Sequence, residues 1–288
     1  MRIALINENS QAAKNEMVYN TLKKVAESKG HTVDNYGMYS ADDKAQLTYV
    51  QNGILAAILL NSGAADFVVT GCGTGEGAML ALNSFPGVLC GHVVDPSDAY
   101  MFMQINDGNA IALPFAKGFG WGAELNLTYI FEKLFEGEPG GGYPKERVVP
   151  EQRNKKILDA VKEITHNDLC DILPKLDREL VKGALSGEKF SEYFFANCKC
   201  DKIAVIASCI IVNIDTVKCI RNQGSRIDAV DDRSMFFYEI FHVTVHESCK
   251  KTADYGNRKD NSNFYTFTQF AETSDKQPHR NTDQASEQ

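Results

Sequence analysis

Residues 66–77 read Asp-Phe-Val-Val-Thr-Gly-Cys-Gly-Thr-Gly-Glu-Gly, and this stretch decides the fold. Phe67, Val68 and Val69 suit a buried strand, while Gly71, Gly73, Gly75 and Gly77 permit left-handed backbone and close approach to a ligand. Ala78-Met79-Leu80-Ala81-Leu82 then supply good helix formers. The stretch is therefore a strand, a turn and a helix, with the Cys72 thiol and the Thr74 hydroxyl held in the turn. Unpaired N–H groups and the positive dipole end at the helix start favour an oxyanion, and the same field favours the thiolate of Cys72. Glu76 stands in the same turn. Pairing with the helix dipole is the preferred account of it; pointing inward, it would repel a dianionic phosphate.

Working outward, short apolar runs alternate with helical periods. Ile3 to Ile6 is a first strand, and Val18, Leu22 and Val25 recur at helical spacing until Gly30 stops them. His31 to Tyr36 makes strand two, and Leu47, Val50, Ile54 and Ile58 mark the second helix. Phe67 to Thr70 is strand three, Gly87 to Gly91 strand four after the Phe85-Pro86 break, and Ala110 to Leu113 strand five before Pro114. Leu127, Ile130, Phe131 and Leu134 share one face of the helix that follows. The βαβαβαβαβα order predicts an α/β fold, a doubly wound parallel sheet of flavodoxin-like or Rossmann-like form covered on both faces. Ligands of such sheets bind beyond the carboxyl ends of the strands, so Asn7 to Asn9, Gly71 to Gly77 and His92 to Ser97 are expected on one crevice rim.

The Glu138-Pro-Gly-Gly-Gly-Tyr-Pro turn ends a first domain of residues 1–150. A C-terminal helical extension, 151–202, follows: Ile157, Val161 and Ile164 lie on one helix face, and residues 169–195 form shorter helices broken near Pro174 and Gly187. It is expected to pack on the core or on a second subunit. Residues 203–288 read as a tail, apolar and β-branched at Ile203 to Val217, rich in Asn, Asp, Ser, Thr and Gln after Asp254, and expected to be disordered past about residue 255.

With 43% apolar residues in 288, the chain can bury one substantial core. A net charge of −8 without a basic cluster argues against nucleic acid and anionic membranes as partners. The opening residues lack an apolar leader, and no run is long enough to cross a bilayer, so a cytoplasmic location is expected. Eight cysteines without repeating spacing fit reduced thiols. Cys198 and Cys200 with His242 and His246 are zinc-type ligands, but their spacing fits no compact finger. In Lys117-Gly118-Phe119-Gly120-Trp121-Gly122 the single tryptophan could wall a substrate loop, although core packing is the preferred account.

Gly71-Cys72-Gly73-Thr74-Gly75 with Gly77, Ala81-Leu82-Asn83, Pro86-Gly87, Asn106-Asp107-Gly108-Asn109, and Gly141-Gly142 with Arg147, in that order, resemble the type B ribose-5-phosphate isomerase family, which includes the galactose-6-phosphate isomerase subunits. The likeness covers residues 1 to about 150, and the helices to about residue 200 look like an extension found in one branch. It implies an aldose-ketose isomerase that uses no metal and no organic cofactor, works on a small sugar or sugar phosphate, and shares active sites across a homodimer or a dimer of dimers. Moving a carbonyl between neighbouring carbons needs a base and donors for the enediolate. Cys72 would be the base; Thr74 and the N–H groups of Gly73 to Gly77 would form the oxyanion site. Glu8, Asn9, Gly71, Gly73, Gly75, Gly77, His92, Asn106 and Arg147 would bind substrate.

The chain also departs from the pattern. Glu8 and Asn9 replace the family's Asp-His pair, and Ile105 replaces the histidine assigned to ring opening. Either another group, such as His92 or Asp95, opens the ring, or the substrate presents an open chain. Of the arginines that grip phosphate, Arg147 is kept, but Tyr143 and Met103 stand at the other two positions. A non-catalytic module binding a sugar or an anion on the same fold is the alternative reading.

Overall fold

The computed structural model describes residues 1–213. His242, His246, the end of the 203–217 run and the polar stretch after residue 254 lie outside the described residues. Five strands alternate with helices in the expected order: β1 (Arg2–Ile6), α1 (Asn15–Ser28), β2 (Thr32–Asn35), α2 (Tyr49–Asn61), β3 (Phe67–Cys72), α3 (Glu76–Asn83). Then come β4 (Cys90–His92), α4 (Pro96–Met101), a π turn over Phe102–Asn106, β5 (Ala110–Pro114) and α5 (Ala123–Leu134). All pairings are parallel and the spatial order is β2-β1-β3-β5-β4. Ile6 stands opposite Thr70, and Cys72 opposite Pro114.

Strand four begins three residues later than the apolar run suggests. The Leu89 N–H is taken by the Asn109 side chain, and Asn83 clasps Cys90 through its N–H and C=O, so ladder pairing with β5 starts only at Cys90. Leu47 is buried but precedes α2. Thr48 caps that helix in a reciprocal box with Gln51, which fixes the start at Tyr49.

Alternate residues of each strand face opposite layers. Leu5, Val69 and Ile111 pack with Val18 and Leu22 of α1 and with Leu127 and Phe131 of α5. On the other face α2 and α3 cover the sheet. Helix α2 is buried through Gln51–Leu59, apolar nearly all round, because it is covered twice. Its outer side meets the extension: α6 (Val148–Thr165), α7 (Leu169–Ile172), α8 (Arg178–Ala184), α9 (Phe190–Asn197) and α10 (Asp201–Ile211), of which α7 and α8 contact α2. The Lys199 N–H donates to the Ser62 carbonyl at 2.7 Å, and Tyr36 meets Phe190 and Tyr193 edge to face.

The β-branched run after Lys202 is helical over its described part. Residues 203–210 are buried in α10, and Arg178 of α8 donates to the Cys209 carbonyl at 2.7 Å near its C-terminus. Removing the chain after Lys202 would strip this buried helix, so the folded body extends at least to residue 211. Helix α6 differs from its neighbours: Glu151 is its single buried residue, and Ile157, Val161 and Ile164 form an exposed stripe. Among the described residues no helix is long and apolar enough to cross a membrane.

Candidate active site

β3 delivers Cys72 to the carboxyl edge of the sheet, where the thiol is 8% exposed. The chain turns immediately, and the Gly75 N–H donates to Cys72 Sγ at 3.2 Å. Gly75 caps α3 in the left-handed region, φ 79°, and a Cβ there would lie 2.7 Å from His92 Nε2. Only glycine therefore gives this turn both its backbone and its fit against the histidine. His92 Nε2 lies 2.9 Å from the Thr74 carbonyl. A carbonyl can only accept, so Nε2 carries a proton and donates it to this bond. His92 thus steadies the thiol turn from β4, while the Thr74 side chain stands in solvent.

Gly71 is not part of the open turn. It lies within β3, buried, and a side chain there would strike the Leu113 carbonyl and the Phe115 ring at 2.4 Å. It allows β3 and β5 to close tightly beneath Cys72. From the other side β1 leaves the sheet beside β3. Glu8 is buried, and its carboxylate accepts from the Ser10 N–H at 2.9 Å, capping the turn over Asn9–Lys14. Asn9 is exposed, its N–H bonded to the Leu47 carbonyl at 2.8 Å. Asp95 caps α4, and its hydrogen bonds from Ser97 and from the Asp98 N–H hold its carboxyl below the ordinary range.

Two residues at this rim carry no signal in the linear pattern. A Cβ at Gly77 would sit 3.4 Å from the Tyr49 ring and 3.7 Å from Cys72 Sγ, so Tyr49, the first residue of α2, stands beside the thiol turn. Lys14 Nζ donates to the Phe115 carbonyl, tying the first loop to the end of β5. A capped helix start and a lone lysine are too common to mark a site in advance.

Asn106 and Arg147 lie elsewhere. Val68 pairs with Ala110 at the amino end of β3, and Asn109 there accepts the Val68 N–H through its carbonyl, so the Asn106–Asn109 turn borders the opposite sheet edge from Cys72. The four-residue rise from Val68 to Cys72 separates the edges by about 13 Å. The glycine turn before Arg147 is bonded to the same region, with Gly142 N–H to the Gln104 carbonyl at 2.9 Å. Arg147 is 65% exposed and lies 3.6 Å from Glu151. One chain therefore gathers Glu8, Cys72, Thr74, Gly75, Gly77 and His92, and presents Asn106 and Arg147 at its far side. Among the described residues no group of three or more His, Cys, Asp or Glu side chains is arranged to hold a metal.

A family model described as ribose/galactose isomerase matches residues 3–137, and one described as ribose-5-phosphate isomerase matches residues 164–209. A crystal structure of a 4-deoxy-L-threo-5-hexosulose-uronate ketol-isomerase, complexed with a tartrate, is 64% identical, with a TM-score of 0.72 over 73% of this chain and 99% of that one. A ribose-5-phosphate isomerase structure from Vibrio parahaemolyticus is 54% identical at the same TM-score and coverage. The galactose-6-phosphate isomerase subunit LacB of Clostridium acetobutylicum is 28% identical over 141 residues, 49% of this chain and 72% of that protein. With its parallel sheet, its thiol turn and relatives matched over nearly their whole length, the chain belongs to the ribose/galactose isomerase family.

Proposed function

We propose that this protein is a ketol-isomerase of an open-chain, carboxylate-bearing keto sugar of the 4-deoxy-L-threo-5-hexosulose-uronate class, with Cys72 as the base. The observation that carries the reading is the Cys72 turn, in which a thiol at a strand end receives a backbone N–H at 3.2 Å beside a helix N-terminus. That arrangement fixes the sulfur at the strand end and leaves further N–H groups for a developing oxyanion. The Cys72 sulfur removes a proton from the carbon bearing the hydroxyl, the amides of the Gly73–Gly77 turn other than that of Gly75, which is bonded to Sγ, and the Thr74 hydroxyl hold the enediolate, and the proton returns to the neighbouring carbon. Glu8 and Asn9 accept and donate to substrate hydroxyls, and His92 fixes the turn.

The substrate class follows from what the site lacks. No imidazole stands at Asn9 or Ile105 to open a sugar ring, and one arginine remains of the phosphate-gripping set. A carboxylate is satisfied by one bidentate guanidinium, whereas a dianionic phosphate recruits several cations. The 64% identical relative is named for such a uronate. The 54% identical Vibrio relative supports a second reading, a pentose phosphate.

Asn106 and Arg147 complete the site from a second copy of the chain, because their own Cys72 is at the other sheet edge. The exposed Ile157, Val161 and Ile164 stripe of α6 supplies apolar surface for that pairing. The test is solvent deuterium incorporation, followed by NMR, on 4-deoxy-L-threo-5-hexosulose uronate and on ribose 5-phosphate. Isomerisation of the uronate with deuterium uptake, lowered about 10²–10⁴-fold in Cys72→Ala, is expected. Preference for ribose 5-phosphate would overturn the substrate class, full activity in Cys72→Ala would overturn the base, and silence on both would favour the non-catalytic module.

A further inference from the structure

Core packing does not account for Trp121: the chain's one tryptophan is fully exposed. The loop that carries it leaves β5 beside the thiol. Pro114 is in register with Cys72, the Phe115 N–H donates to the Cys72 carbonyl at 3.0 Å, and the Ala116 N–H donates to the Gly73 carbonyl at 2.9 Å. Phe119 anchors the middle, 5% exposed and edge-on to Phe115 at 5.6 Å. Beyond that anchor Gly120 and Gly122 flank the indole. A Cβ at either would meet no atom within 4 Å, and Gly122 lies at φ 78° as the cap of α5.

We propose that Trp121 is a substrate-contacting specificity residue, which swings about Gly120 and Gly122 to cover the sugar bound over Cys72. The proposal rests on the Cys72 reading above. Trp121 lies two residues past the Phe119 anchor, a span of at most about 7 Å, to which the length of the indole side chain adds. The glycines give the rotation without steric cost, and the buried Phe119 keeps the hinge in place. Indole faces pack against the C–H faces of sugars, and covering the site excludes water from an enediolate that would otherwise be lost to side reactions. An apolar roof also suits a deoxy sugar, which offers a bare methylene where ordinary sugars carry a hydroxyl.

The full-length protein reports on this directly, because all emission excited at 295 nm comes from Trp121. Tartrate and 4-deoxy-L-threo-5-hexosulose uronate are the probes. Either ligand should shift the emission to the blue and reduce acrylamide quenching about threefold, and Trp121→Ala should lower kcat/KM for the uronate about tenfold or more, with Trp121→Phe recovering most of it. An enzyme that turns over the uronate with unchanged emission and an unimpaired Trp121→Ala variant overturns the proposal while the isomerase reading stands. Emission that follows protein concentration but not ligand assigns Trp121 to a subunit contact and also overturns it. A tartrate-dependent shift in a protein without turnover upholds closure and rejects the uronate reading.

Discussion

Gly75→Ala tests the thiol turn with a single methyl group. The left-handed backbone at φ 79° costs an alanine about 1–2 kcal/mol. Its Cβ would also lie 2.7 Å from His92 Nε2, so the imidazole must move and give up its 2.9 Å bond to the Thr74 carbonyl, a further cost of about 1 kcal/mol. The sum, about 2–3 kcal/mol, corresponds to a fall in Tm of about 4–12 °C for a body of this size. The same displacement carries the Gly75 N–H away from Cys72 Sγ, and loss of one such donor lowers kcat about 10²-fold. Thermal unfolding and initial rates on the four combinations of Gly75→Ala and His92→Ala separate the two contributions. In the His92→Ala background the methyl group meets no ring, and the backbone cost and its 3.0 Å approach to the Leu113 carbonyl carbon remain, leaving a coupling of about 1 kcal/mol. An undiminished Tm and kcat in Gly75→Ala, or a cost that is the same with and without the imidazole, would refute the reasoning.

Mixing Cys72→Ala with Arg147→Ala protein should restore part of the activity through hybrid sites, measured as rate against mixing ratio; no recovery despite proven subunit exchange rejects completion of the site by a second copy. Ile164→Asp places a charge on an α6 position that is 83% exposed, so it should weaken self-association in sedimentation velocity without changing the circular dichroism spectrum. Thr48→Ala removes half of the capping box of α2 and should cost about 1 kcal/mol in urea unfolding. Asp95 has a folded-state pKa held below its unfolded value by Ser97 and the Asp98 N–H, so its contribution is present above the unfolded pKa and is lost as pH falls through the folded one. The urea-midpoint difference between wild type and Asp95→Ala should be constant from about pH 5 to 8 and shrink below about pH 4; a difference that persists into that range would contradict a carboxylate role.

The sheet was legible because short apolar runs such as Ile3–Ile6, Phe67–Thr70 and Ala110–Leu113 alternate with helical periods, and because Cys72 sits where a strand meets a helix. What escaped was set by side chains bonding to backbone. Asn83 and Asn109 move the start of β4 to Cys90, and Thr48 excludes Leu47 from α2. The β-branched run from Ile203 forms a helix against α7 and α8, tertiary packing overriding local preference. At the site, the shared rim of Glu8, Cys72 and His92 followed from parallel topology alone. Tyr49 did not, since its contact with Gly77 is not written in residue spacing, and core packing was the wrong preference for Trp121 because the exposure of an indole is not written there either.

The placement of Cys72 and Arg147 at opposite sheet edges has a genetic consequence. In the proposed pairing a lesion in one half leaves a mixed dimer with one intact site, so output falls in proportion to the damaged allele's share. A chain damaged in both halves spoils both sites of every dimer it enters, and output falls as the square of the intact fraction. Single lesions in this protein would be recessive and mutually complementing; the double lesion would be dominant.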